Sequence, residues 1–298
     1  MRSAYFAPAV LAVASAFAPV APVRAQQDDA IVVSATRFSE DARRLPASST
    51  VLSAEDIARS AARTLPELLQ EQTGITMKDF YGNNGAVTSI DLRGYGVTGP
   101  QNTQVLVDGR RITDIDLTSV QWAAIPLSAI ERIEILRGTG AVLYGDGASA
   151  GVINIVTRSP LKRGAALEAF GRAATFNTRE GQLYASHAAG DFGINAAVYG
   201  FSSDGYRANN RNEQQNTSAS LRWASGGTTF DLKAGTDAQD LRLPGARRVQ
   251  PSIGLNEMSD PRGAQTPLDY ASRDGRRVGL ALGHVTGDVE FTLGLDWR

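Results

Sequence analysis

The sequence predicts a mainly β chain in two parts: a compact α+β unit over about residues 30–160, then antiparallel strands of the membrane-barrel type. Three observations carry this. Capped helix starts and short β-branched runs are mixed up to about Thr157. After Arg163 helix signals vanish, and alternating segments of roughly ten residues recur. The separators between those segments are by turns short and glycine-bearing or long and polar, the asymmetry of barrels in outer membranes.

The bulk numbers narrow the classes. The chain has 298 residues, a formal net charge of -1 and 20% charged residues, so it carries no nucleic-acid footprint. Mean hydropathy is -0.19. No apolar run long enough for a membrane helix follows the N-terminus, while a barrel averages out to ordinary hydropathy. At the start, Arg2, the apolar Phe6 to Phe17 and the small-residue site Val23-Arg24-Ala25 have the layout of a cleavable export signal over 1–25, with a mature start near Gln26. Pro8, Pro19 and Pro22 argue against a buried helix there. The absence of cysteine fits an exported protein that needs no disulfide framework.

Ala30-Ile31-Val32-Val33-Ser34-Ala35 reads as a short extended segment on a flexible terminus. It suits addition to the edge of another protein's sheet, or equally the first strand of the following unit. Ser53 is placed to cap a helix with Glu55 and Asp56 in its first turn. Thr64 caps a second, with Leu65, Leu68 and Leu69 toward a core and Gly74 closing it. Strands are expected at Ile75 to Met77, Ser89 to Arg93 and Thr103 to Val107, with Asp108-Gly109 turning back into Arg111-Ile112. Pro126 to Ile130 suits a short helix, and Ile133 to Leu136 and Val152 to Thr157 suit strands.

Seven further strands are expected: Ala165 to Thr175, Glu180 to Ala189, Phe192 to Ser202, Thr217 to Ala224, Thr228 to Asp237, Arg277 to Val285 and Val289 to Trp297. Their turns at Gly190, Gly226-Gly227 and Gly287 are short, and Ser203 to Asn216 and Gln239 to Arg276 read as long loops. Phe192, Ile194, Ala196 and Val198 share one face; Leu221 and Trp223 alternate with Arg222. A soluble sandwich is the alternative architecture.

Enzyme chemistry has nothing to rest on. Gly94-Tyr95-Gly96-Val97-Thr98-Gly99 matches the dinucleotide pattern, but Pro100-Gln101-Asn102 and a strand follow in place of the required helix. The glycine-rich Gly138 to Gly151 lacks the lysine of a phosphate loop. His187 and His284 stand far apart and no cysteine is present, so neither a metal site nor a cofactor is expected. Asp114 and Asp116 read as solvated loop acids.

Asp91-Leu92-Arg93-Gly94, Val105-Leu106-Val107-Asp108-Gly109, Ile130-Glu131-Arg132-Ile133-Glu134-Ile135-Leu136-Arg137-Gly138, Ala141-Val142-Leu143-Tyr144-Gly145 and Gly151-Val152-Ile153-Asn154-Ile155-Val156-Thr157 come in a fixed order. Together they closely resemble the plug of TonB-dependent outer-membrane receptors. The resemblance implies a TonB box at Ala30, Ile31, Val32, Val33, Ser34 and Ala35, a plug over 38–160 and the first part of the family's 22-stranded barrel over 161–298. It implies partners as well: TonB with its proton-driven inner-membrane motor, outer-membrane lipid, and a chelate ligand, a ferric siderophore first and cobalamin or another chelate as the alternative. By position in such plugs, Phe80, Tyr81, Asn83, Asn84, Asp116 and Trp122 fall in loops that face the ligand. Arg93 and Arg137 fall where the family's plug arginines pair with the barrel wall.

About 135 residues follow Arg163, room for roughly seven strands, an odd number too small for a barrel that encloses a plug. The chain is therefore expected to be a fragment or a truncated product. A passive porin-like barrel is the rival class; it would have no use for a TonB box.

Overall fold

The computed structural model describes residues 31–32, 40–41, 48–79, 88–112, 120, 122, 125–138, 144–161, 164–287 and 289–297. Its strands and helices follow, in chain order, from local chemistry.

β1 (Ile31–Val32) and β2 (Glu40–Asp41) form a two-residue antiparallel ladder. β3 (Ser48–Ser53) runs directly into α1 (Ala54–Arg59), where Ser53 and Asp56 make the reciprocal bonds of a capping box. α2 (Leu65–Gln70) is capped by Thr64 and buries Leu65, Leu68 and Leu69. It ends at Gln70, before the expected Gly74; that glycine instead turns the chain, at φ 77°, into β4 (Ile75–Asp79). β4 pairs with β5 (Thr88–Leu92). A one-turn helix, α3 (Gly99–Asn102), precedes β6 (Thr103–Val107) and β7 (Arg110–Arg111). The expected helix near 126–130 is a single 3-10 turn, Leu127–Ala129, leading into β8 (Ile130–Arg137); β9 (Gly151–Thr157) follows.

A five-stranded sheet of order β3-β8-β9-β6-β7 results. β6 and β9 are parallel neighbours and the other pairs antiparallel. Ile133, Ile135, Ile153 and Ile155 are wholly buried against Leu69, Leu92 and Trp122. This is the core of the α+β unit.

Seven long strands make the second sheet: β10 (Ala166–Ala174), β11 (Thr178–Ala189), β12 (Phe192–Ser203), β13 (Asn212–Ser225), β14 (Thr228–Arg242), β17 (Tyr270–Thr286) and β18 (Val289–Trp297). They form an antiparallel meander in chain order. Between β14 and β17 lies a small ladder of β15 (Val249–Gln250) and β16 (Leu255–Asn256).

Directly paired residues share a face, so the register sorts the side chains. Ile194, Leu221, Leu232, Leu280 and Leu295 form one row across five strands. The next row on that face is Phe192, Trp223, Phe230, Leu282 and Leu293. Much of this face is open to its surroundings; Ile194, for example, is 52% exposed. On the opposite face the row Ser186, Asn195, Ser220, Lys233, Gly279 and Asp296 is polar throughout. This is a wall with an apolar outside and a polar inside, and the sandwich alternative falls away because no second sheet covers the apolar face among the described residues.

β13, β14 and β17 reach further than the alternation suggested, into stretches read as loops. Their ends stay paired through polar residues, for instance Asp240 opposite Glu213 and Ser272. The remaining loops are folded. Arg207 donates to the carbonyls of Pro244, Gly245 and Gly263, and Asn209 Nδ2 to those of Leu243, Thr266 and Asp269.

Two outcomes test this arrangement. Leu232→Arg puts a cation on the outer face and should cost about 2–4 kcal/mol if that face lies in lipid, read as the folded fraction in vesicles across a urea series. Hydrogen bonds from Ser53 hold Asp56 below its ordinary carboxylate value of 3.8. Stability from this cap is therefore present above that value and lost as pH falls through the lowered one. Ser53→Ala should cost about 1 kcal/mol at neutral pH and should flatten the acid limb of plug unfolding below about pH 4.

Candidate functional site

The functional geometry is the seating of the five-stranded unit against the polar face of the wall. One turn carries much of it. Asp108, at φ 52°, and Gly109 link β6 to β7. Asp108 Oδ1 accepts from the Thr157 amide at 2.8 Å, while Oδ2 accepts from Thr157 Oγ1 at 2.8 Å and from Lys233 Nζ on β14 at 2.6 Å. Arg110 pairs with Asp296 on β18 and donates to the Leu280 carbonyl at 3.3 Å. Gly279 leaves the room: a Cβ there would collide with the Arg110 guanidinium. At the far side Arg158 pairs with Glu168 at 2.6 Å, lies 4.9 Å over the Tyr184 ring, and lends its carbonyl to Asn195 Nδ2 at 2.9 Å.

Asn195, Lys233, Gly279 and Asp296 all belong to one inward row of the wall. The turn is also tied inward. Gly109 N–H donates to Asn154 Oδ1 at 3.0 Å, Asn154 Nδ2 donates to Glu134 at 2.9 Å, and Glu134 pairs with Arg132 at 2.8 Å. Glu134 is fully buried, and these partners satisfy its carboxylate oxygens there.

The anticipated wall arginines are placed differently. The Arg137 guanidinium donates to the Thr73 carbonyl at 3.1 Å and to Thr50 Oγ1 at 2.6 Å, both within its own unit. Burial lowers its pKa. Arg93 sits at φ 72° with an exposed side chain, and its amide donates to the Gly74 carbonyl at 3.0 Å. Beside it, the Asp91 carboxylate accepts from the amides of Tyr95 and Gly96 at 2.8 and 2.6 Å. A Cβ on Gly99 would lie 2.6 Å from that of Asp91, which accounts for the last glycine of the pattern. A short helix does follow the glycines, contrary to expectation, but the acid already occupies the amides that a phosphate would need.

Trp122 is corrected from a ligand-facing position to the core. It is 5% exposed and its Nε1 donates to the Thr88 carbonyl at 3.0 Å. Phe80, Tyr81, Asn83, Asn84 and Asp116 lie outside the described residues, as do the signal at 1–25 and Ala30, Val33, Ser34 and Ala35. Of the coupling segment, Ile31 and Val32 are described, paired with Asp41 and Glu40.

Residues 41–152 match the family model described as the TonB-dependent Receptor Plug Domain. This stretch carries the plug-domain signature of TonB-dependent receptors. Among curated relatives, the vitamin B12 transporter BtuB of Vibrio cholerae is 37% identical over 152 residues, 50% of this chain and 24% of the relative. BtuB of Vibrio vulnificus is 29% identical over 294 residues, 89% of this chain and 47% of the relative. The chain thus spans about half the length of that relative. An iron-regulated outer membrane virulence protein of V. cholerae is 37% identical over 152 residues, 49% of this chain and 22% of its own length.

Solved receptors share the fold. The P. aeruginosa receptor FpvA aligns at a TM-score of 0.74 and 16% identity, covering 89% of this chain and 35% of FpvA. The ferric citrate transporter FecA aligns at 0.70 and 19%, covering 83% and 39%. The five-stranded unit has the fold of the plug in such receptors, and the seven-stranded sheet that of part of their barrel wall.

Asp108, Arg110 and Lys233 were missed as site residues. The Asp-Gly pair signalled a turn, but its partner lies 125 positions away and no local pattern marks it. If the turn holds the plug by charge, Asp108→Lys or Lys233→Asp alone should each loosen the plug and the pair together should recover only the charge part of the loss, since a lysine at 108 accepts nothing from Thr157. The coupling should be about 1 kcal/mol, read as the shift in urea concentration at which protease first cuts the plug.

Proposed function

We propose that this chain is the plug and first wall segment of a receptor that imports a scarce organic chelate across the outer membrane, driven by TonB. One observation carries the reading. The plug is seated on the polar face of a wall whose other face carries successive apolar rows, with a short extended segment at the plug's N-terminal side. Such a wall suits lipid outside and a filled lumen inside. A plugged lumen needs a device to open it, and a passive pore does not.

In this reading TonB adds as a strand to Ala30 to Ala35. β1 is paired with β2 along one edge, and its other edge is the one to which such a strand would add. Phe80, Tyr81, Asn83, Asn84 and Asp116 remain the proposed ligand contacts of the plug, without Trp122. A ferric siderophore is the first ligand class. Cobalamin is the second reading, favoured by the similarity to proteins named as vitamin B12 transporters. The role is that of a carrier, with no reaction catalysed.

Val32→Pro removes a strand donor within the coupling segment. Expressed with the rest of the receptor, it should abolish energised uptake while ligand binding to whole cells stays within about twofold. Uptake at the original rate would sink the TonB reading. Growth of the deletion strain on separate ferric siderophores and on cobalamin decides the ligand class.

A further inference from the structure

The polar face of the wall carries a second charged group, which the seating of the plug does not use. Lys233 meets Asp108 on this face, and Asp237 follows it on β14, about 13 Å nearer the long loops. Asn216 and Gly275 stand opposite Asp237, Arg277 opposite Gly235 and Arg273 opposite Gln239, so all of them share that face. Two guanidinium groups converge there on one carboxylate. Arg273 Nε lies 3.7 Å from Asp237 Oδ2, and Arg277 Nη1 lies 3.4 Å from Oδ1.

Glycine makes the bed beneath them. A Cβ on Gly275 would lie 2.6 Å from both carboxylate oxygens of Asp237, and one on Gly235 would lie 2.9 Å from Arg277 Nε. Neither glycine has a positive φ, so space rather than backbone conformation calls for it. The charged ends therefore lie close against the strands.

Both contacts are longer than a charge-assisted hydrogen bond, and a single carboxylate cannot balance two cations. Arg277 has further contacts of its own. Among the described residues Arg273 has the 3.7 Å contact with Asp237 alone, and its side chain is 31% exposed. Most of its N–H donors are therefore open.

We propose that Arg273, beside Arg277, receives an oxyanion of an incoming solute, either a carboxylate or a phosphate. A guanidinium holds both kinds by paired hydrogen bonds, and Asp237 competes with the ligand for it. The proposal deepens the receptor reading, on which it rests for a solute arriving from the side of the long loops. It favours an anionic chelate over an uncharged one.

The chain has no cysteine, so a single introduced thiol reports without background from it. Ala271 is exposed and lies on the face of Arg273, two residues before it on β17. In outer membranes carrying the chain with the rest of the receptor, Ala271→Cys is labelled with N-ethylmaleimide. Citrate or inorganic phosphate is added, with sodium chloride holding the ionic strength constant. Citrate, phosphate or both should slow the labelling, and which of them does so tells a carboxylate site from a phosphate site. Ser225→Cys, at the short-turn end of β13, should be unaffected. Arg273→Gln should raise the concentration needed for half-protection about 5-fold, and Arg273→Lys should recover part of that loss. Asp237→Asn should lower that concentration about 3- to 5-fold, because a competing carboxylate is gone. Side chains that merely braced the wall would give no such gain. No protection by either anion, protection indifferent to Arg273→Gln, or no gain in Asp237→Asn would overturn the proposal. Failure of the receptor reading shows elsewhere, as uptake unchanged in Val32→Pro.

Discussion

Backbone N–H and C=O groups must be paired, and in the long strands of this chain that demand falls on the ladder joining β10 to β18. Because the pairing fixes which residues lie opposite, it also fixes the faces. A slip of one residue in the pairing of β14 would send Leu232 to the polar face and Lys233 to the apolar one. Every contact between plug and wall inherits this register. Asn195, Lys233 and Asp296 meet the plug together because four separate pairings put them in line.

The plug answers with a turn whose two charges are opposite in sign. Asp108 finds a wall lysine and Arg110 a wall aspartate, so a plug shifted along the wall would set like charges against each other. Charge pairs of this kind add little net stability, but they choose one seating over its neighbours. Behind the turn, Asn154 and Glu134 carry the same orientation into the plug's sheet. Arg137 serves a different end, fastening the end of β8 to the Thr73 turn and to β3.

Much of this was legible in the residues. Ser53 and Thr64 announced their helices because a cap needs one side chain and the amide three residues on. The short turns at Gly190, Gly226 and Gly287 and the alternation between them set out seven wall strands, all of which form. Strand length was harder to read. Beyond the apolar band both faces of β13, β14 and β17 are polar, so the period that marks a strand disappears while the pairing continues. Harder still were contacts between distant segments. Trp122 lies in a stretch with loop-like composition, and its burial depends on distant partners, the core side chains around it and the Thr88 carbonyl that takes its indole N–H. Nothing near Arg137 in sequence points to Thr50 or Thr73.

The length of β14 has a consequence for the proposed receptor. Its 15 residues span roughly 50 Å along the strand, or about 35–40 Å of height at the usual barrel tilt, against an apolar band of about 25 Å in such barrels. Set in a membrane, the wall would stand some 10 Å or more clear of it on the side of the long loops, which Arg207 and Asn209 stiffen. A solute approaching along the surface would meet this parapet before it met the membrane. The first selection would then be one of height and shape, made by rigid strands before any loop or plug residue is touched.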